Sequence, residues 1–255
     1  MTTWVLAPLV GLVVGLVMGG LGGGGAVLSV PVLVYALDQP AHQATTISLV
    51  VVLFGAVVGL AAMRGQDRVD WRTGLVFGGL GIAGSVVGAR LSYAADPRLL
   101  LGSFAVLLAA VAVLMWRRAD HDASASAGPG EGSVGKLVPT ALGIGALTGF
   151  FGVGGGFATV PALALVMRMT PARATATSLV VICVNAVAAL VTRFVGKGVG
   201  GIPWLLVLTF AVGTGVGTAL GTRVSGRLRG AHLMRAFAVF LVLIAAVVGV
   251  ETALQ

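Results

Sequence analysis

Acid groups are scarce in this 255-residue chain, which has 8 Asp and Glu in all. Asp38, Asp67, Asp70 and Asp96 stand at the edges of apolar runs and none lies deep within one. A carboxylate proton relay or a buried cation site inside a membrane therefore lacks its usual parts. Cysteine is scarcer still. The single Cys183 sits in an apolar stretch, which excludes a disulfide framework and a thiolate metal cluster and leaves it as a small core hydrophobe. Of the 3 histidines, His42 precedes an apolar run where proton coupling is conceivable, but its counterpart in the second half is Ala172. His121 and Asp122 have no third ligand converging on them. No nucleophile–base pair or metal set falls within a run, so the chain does not read as an enzyme and no cofactor is expected. A net charge of +8 suggests nucleic acid in a soluble protein. Here Lys and Arg gather at the ends of apolar runs, with no basic patch interleaved with aromatics, so nucleic acid is not an expected partner. Met1-Thr2-Thr3-Trp4 lacks the basic stretch of a signal peptide, and the first apolar run is expected to be kept.

What the chain has in abundance is apolar sequence: 58% hydrophobic residues against 9% charged. Soluble domains carry about 25% charged residues. Apolar runs cover 4–37, 43–63, 73–93, 98–116, 137–167, 174–194, 203–224 and 233–250. A helix needs about 20 apolar residues to cross the hydrocarbon core, so the expected class is an all-α polytopic membrane protein with the lipid bilayer as its first partner. The runs 4–37 and 137–167 are too long for one span, and each is broken by glycines.

Those breaks are the same sentence written twice. Gly19-x2-Gly22-Gly23-Gly24-Gly25-x5-Pro31 returns as Gly149-x2-Gly152-x-Gly154-Gly155-Gly156-x4-Pro161. Ala44-Thr45-x2-Ser48 returns as Ala174-Thr175-x2-Ser178, and Gly84-x3-Gly88-Ala89-Arg90 as Gly217-x3-Gly221-Thr222-Arg223. Three motifs in one order describe an internal duplication: a first transmembrane repeat over 1–116, a polar linker over 117–136 rich in Gly, Ser, Asp and Arg, and a second repeat over 137–255.

Charge decides how the repeats lie. If every run crosses once, the basic residues divide evenly between the faces, which the positive-inside rule does not expect. If 4–37 and 137–167 instead enter and leave on one side, only Arg90, Arg98, Arg193 and Lys197 of the 16 Lys and Arg remain on one face. The strong bias favours two re-entrant or broken-helix hairpins, each followed by three transmembrane helices. An odd number of crossings per half makes the repeats inverted. It also places both termini on the non-cytoplasmic side and lets the glycine tips approach each other from opposite faces.

The second arm of each hairpin begins a helix at the glycines, near Ala26 and Phe157. Helix N-termini carry unpaired N–H groups and roughly +0.5 charge, so two of them converging in a dry interior form an anion site. Glycine suits such a tip because it permits positive φ and close approach. Close helix packing is the competing explanation, but it calls for glycines four apart rather than in unbroken runs. The expected substrate-binding set is Gly22, Gly23, Gly24, Gly25, Gly152, Gly154, Gly155 and Gly156, with hydroxyls of Thr45, Ser48, Thr175 and Ser178. N-capping or bonding back to the preceding turn is the ordinary alternative for those hydroxyls. Asn185 is equally open as a helix–helix or a substrate contact. Arg64, Arg90, Arg193 and Arg223 lie at run ends, where snorkelling competes with a substrate role.

The paired glycine motifs, each followed by an Ala-Thr-x2-Ser helix start, resemble the TauE/SafE family of sulfite or sulfonate exporters over nearly the whole chain. Ala26 in place of a match to Gly156 is the one departure. The resemblance implies an inner-membrane permease for small sulfur-containing anions such as sulfite or organosulfonates. Alternating access around the tips is the expected mechanism, and a passive anion channel filtering at the same tips is the alternative. A second copy of the chain, forming a homodimer, is the one further partner left open.

Overall fold

The computed structural model describes residues 2–63, 69–92, 97–121, 134–151, 156–197, 203–225 and 230–254. Every regular element among them is helical: α1 (Thr2–Leu21), α2 (Gly24–Pro31), α3 (Ala41–Ala62), α4 (Trp71–Ser92), α5 (Pro97–His121), α6 (Val134–Phe151), α7 (Gly156–Leu165), α8 (Pro171–Lys197), α9 (Trp204–Ser225) and α10 (Gly230–Leu254). Among the described residues, Gln43–Ala62, Pro171–Thr192 and Trp204–Ser225 are long and apolar enough to cross a membrane. Apolar stretches Leu6–Leu21, Val106–Arg117, Leu137–Phe150 and Gly230–Ala246 are shorter. The helices α5 and α6 reach His121 and Val134, into the stretch that the sequence assigns to the linker.

Both long glycine-bearing runs are broken where the motifs stand. Gly22 has φ +75°, the left-handed region that glycine enters without steric penalty, and α2 starts two residues later. The chain then returns along its own first arm. A Cβ on Gly25 would lie 2.5 Å from Met18 Cβ and 2.6 Å from the Val14 carbonyl oxygen. The second arms begin at Gly24 and Gly156, slightly before the expected Ala26 and Phe157; in the first half the turn at Gly22 precedes the last glycines.

The duplication persists at atomic detail. Pro31 and Pro161 each sit inside a second arm and remove an N–H donor. The helix loosens after both: Val32–Ala36 forms a π turn, and the Met167 N–H reaches back to the Ala162 oxygen at 3.2 Å. Each arm ends on a left-handed residue, Asp38 (φ 50°) and Arg168 (φ 54°). The N–H of the next residue closes the turn, Gln39 to the Leu33 oxygen at 3.0 Å and Met169 to the Leu163 oxygen at 3.1 Å.

Each first arm makes its closest approach to a long helix of the other half. α1 lies parallel to α9: Gly11, Gly15 and Gly19 face Phe210, Thr214 and Thr218, while Gly213, Gly217 and Gly221 face Pro8, Leu12 and Leu16. Reciprocally, α6 lies parallel to α4, with Gly145 on Gly81, Gly149 on Ser85, and Gly84 and Gly88 on Leu142 and Ala146. In both seams a Cβ would strike backbone, so the helices approach at main-chain distance. Close small-residue packing replaces the hydrophobic drive that lipid does not supply. On α9, Thr214, Thr218 and Thr222 bond back to carbonyls of their own helix, leaving no hydroxyl there in need of a partner.

A larger side-chain cluster joins α5 to α10 and α7, through Phe104, Leu108, Met115, Leu163, Phe237 and Leu241. At one end of that pair, the Arg235 guanidinium carbon stands 6.0 Å from the Trp116 ring centroid. Arg90 and Arg223 are exposed in the last turns of α4 and α9, where a cation complements the negative helix end.

Candidate functional site

The two broken runs meet. A Cβ on Gly156 would stand 2.9 Å from the Gly23 carbonyl oxygen and 3.3 Å from Ile182 Cδ1, and one on Gly23 would overlap the Gly156 backbone. The start of α7 therefore touches the tip between α1 and α2, main chain to main chain. Gly22 turns the other way, into α8: its Cβ position lies 2.6 Å from Ser178 Oγ, 2.9 Å from Val160 Cγ2 and 3.3 Å from Thr175 Cα. Glycine is required at both positions, at Gly22 by φ and at Gly23 by contact. Thr175, Ser178 and Thr177 are all buried, with exposures of 2%, 0% and 0%. Thr175, Ser178, Ile182 and Asn185 recur at helical spacing and so form one stripe of α8.

The electrostatics of the tip have two sides. A hairpin brings the carbonyl end of α1 beside the N–H end of α2, and these carry opposite partial charges. The Ser225 hydroxyl, on α9, lies 3.4 Å from the Gly19 carbonyl and closer, at 3.0 Å, to the Thr222 carbonyl of its own helix. The start of α2 has Gly23 at its N-cap and no side-chain cap bond. The N–H groups at the start of α2 are the part of the tip that suits an anion.

Not every expected residue belongs at this point. Gly25 faces α1, so it serves hairpin packing. Gly24 opens α2. Ser178 Oγ donates to the Thr175 carbonyl at 2.8 Å, the back-bonded arrangement that competes with a ligand role. To donate to an anion it must give up this bond, which rotation about Cβ–Oγ allows. Ser48 is buried and Thr45 part-buried in the equivalent turn of α3. Gly152, Gly154 and Gly155 lie outside the described residues, as does Arg64. Asn185 sits further along α8, where its Oδ1 is buried without a hydrogen-bond partner and lies 4.0 Å from the Cβ position of Gly81. A buried amide oxygen left unpaired costs about 1–3 kcal/mol, so this position is poised to receive a donor.

Sequence reasoning passed over two features, an apolar wall and an acid. Val160 and Ile182 supply the apolar wall around the glycines. Asp70 anchors this part of α8 from the first half: its N–H donates to Thr177 Oγ1 at 3.1 Å and its carboxylate meets Arg173 Nη2 at 3.0 Å. A signal existed for the second. An arginine in the first turn of a helix opposes the macrodipole and needs an acid nearby.

The family model described as "Sulfite exporter TauE/SafE" matches residues 7–248. Two proteins named "Probable membrane transporter protein", from two strains of Xylella fastidiosa, are similar to this chain. One is 35% identical over 176 residues, covering 66% of each chain. The other is 33% identical over 202 residues, covering 78% of this chain and 76% of the relative. "Probable membrane transporter protein YunE" of Bacillus subtilis is 25% identical over 266 residues, covering 95% of this chain and 96% of its own. No solved structure gives a significant match.

Proposed function

We propose, from the premise that this chain belongs to the sulfite exporter TauE/SafE family, that it carries a small sulfur-containing anion across the cell inner membrane by alternating access. The chain is a multi-pass membrane transporter, and its family is one of transporters rather than enzymes. The observation that carries the finer reading is the backbone contact of Gly23 with Gly156 beside Ser178. The start of α2, free of a side-chain cap, meets the start of α7 there, and among the described residues no acid is one of the nearest contacts of Gly22, Gly23 or Gly156. The anion is held by N–H groups of Gly22, Gly23 and Gly24 and by their counterparts Gly152, Gly154, Gly155 and Gly156. Thr175 and Ser178, with Thr45 and Ser48 from the other half, complete its shell, and Asn185 offers a further polar contact. Neutral donors bind an anion without trapping it.

The halves 1–116 and 137–255 act as inverted repeats about this point, joined by the linker 117–136. The parallel pairing of α1 with α9 and of α6 with α4 supports that reading, because each first arm matches the direction of the other half's long helix. The face that bears Arg168, Arg173 and Arg223 is the cytoplasmic one, with both termini opposite it.

Purified protein in liposomes, offered sulfite, sulfate, thiosulfate, sulfoacetate and taurine in turn, is expected to show saturable uptake of at least one of them and counterflow exchange. Single-channel conductance without saturation would mark a passive pore instead. The substitution Ser178→Ala is expected to raise the half-saturation concentration roughly 2–10-fold, the worth of one hydrogen bond whose proton has a competing acceptor. The maximal rate should stay near that of the parent. An unchanged half-saturation concentration would remove Ser178 from the shell.

A further inference from the structure

We propose that Asp70 and Arg173 form an ionic latch between the halves, one that holds the substrate tip shut towards its own face and must open in each transport cycle. The proposal rests on the alternating-access reading above and adds the element that closes one side. Asp70 belongs to the segment that leads into α4, and Arg173 to the first turn of α8. Their ion pair of 3.0 Å therefore ties the first half to the second.

Asp70 does three things at once. One carboxylate oxygen, Oδ1, accepts the Thr73 N–H at 3.0 Å and caps α4. The other, Oδ2, takes the Arg173 guanidinium at 3.0 Å. Its backbone N–H donates to Thr177 Oγ1 at 3.1 Å. Thr177 lies between Thr175 and Ser178, the residues that wall Gly22. A single acid thus fixes the start of α4 and the turn of α8 against which the tip rests.

Helix stability does not account for Arg173. Arg90 and Arg223 occupy last turns, where the macrodipole favours a cation, whereas Arg173 occupies a first turn, where it is disfavoured. The compensation comes from Asp70, across the boundary between halves. The arrangement also has no twin. By the register that matches Trp71 to Trp204 and Thr45 to Thr175, the positions equivalent to Asp70 and Arg173 are Pro203 and Gln43, which cannot pair as ions. Two faces built from duplicated parts are therefore closed by different chemistry, and that difference gives the cycle a preferred resting side. The Arg173 and Asp70 side chains are 44% and 21% exposed, so water screens the pair, and a screened pair opens and recloses readily.

The test uses the full chain with Cys183→Ala, which removes its only cysteine, and Val160→Cys as reporter beside Gly22. A membrane-impermeant thiol reagent is applied from the Asp70 side of oriented vesicles. Asp70→Asn keeps the helix cap and removes the charge, and Arg173→Gln removes the other. Each is expected to speed labelling of the reporter about three- to fivefold. Equal labelling rates in the parent and both variants would overturn the latch. The second measurement is a disulfide between Asp70→Cys and Arg173→Cys in the Cys183→Ala chain, with radiolabelled sulfoacetate, which does not cleave disulfides, as probe. Oxidation is expected to arrest uptake and reduction to restore it, and full uptake by the cross-linked protein would also overturn the latch. The labelling arm needs no transported solute. Failure of sulfoacetate uptake therefore counts against the proposed substrate, and unchanged labelling against the latch alone.

Discussion

A Gly23→Val protein is expected to insert into the membrane at normal yield and to lose uptake by roughly 10–100-fold. Any Cβ at this position overlaps the backbone of Gly156, and valine adds two methyl groups in a place where the two chain segments touch through main chain. Overpacking of this kind costs about 1–3 kcal/mol, and each 1.4 kcal/mol is a factor of ten in an equilibrium. The tip can yield only by moving away from α7, which pulls apart the two helix starts that the anion must bridge. Gly20→Ala is the matched control: it lies in the same glycine segment, and its Cβ would meet nothing within 4 Å. Near-normal uptake by Gly20→Ala beside the loss in Gly23→Val would locate the effect at the contact, not in glycine content. Uptake by Gly23→Val at the parent's rate would remove the tip from the transport path.

The second large effect concerns stability. Gly217→Leu places a four-carbon side chain where even one carbon overlaps the Leu12 carbonyl, in the seam between α1 and α9. A cost of about 1–3 kcal/mol lowers the melting temperature by roughly 2–12 °C for a chain of this size. The defect should be read by thermal unfolding in detergent, with Gly79→Ala and Gly143→Ala unchanged because both face open space. A Gly217→Leu protein that melts with the parent would show that α1 and α9 do not depend on close approach.

Much of this architecture was legible before any coordinates. The repeated glycine breaks, the Ala-Thr-x2-Ser helix starts and the boundaries of the long helices follow from apolar length and from the inability of a glycine run to propagate a helix. The meeting of the two glycine segments was also anticipated, from the glycine breaks together with the distribution of Lys and Arg. What stayed hidden was which surface each helix turns to which neighbour. Gly11, Gly15 and Gly19 are spaced four apart, as are Gly213, Gly217 and Gly221, and that spacing encodes a packing seam running straight into the contiguous glycines of the tip. Two glycine patterns with different purposes therefore abut, and Gly25, assigned to the site, also packs against α1. The committed hydroxyl proton of Ser178 could not be foreseen either, since serine in a helix either bonds back or turns outward according to its surroundings. Asp70 and Arg173 lie far apart in sequence, and only the crossing of α8 by the lead-in to α4 brings them together.

The exchange of first arms bears on how such a chain could arise. A half-length ancestor would own an α1 with no seam inside its own half, yet a second copy inserted the other way up would offer its α4, where Gly84 and Gly88 occupy the places of Gly217 and Gly221. Each copy would lend an arm and borrow one. On this view gene fusion merely tethered a handshake already in place, and severing the stretch between Arg117 and Lys136 should yield two fragments that reassemble when made together and fail when made apart.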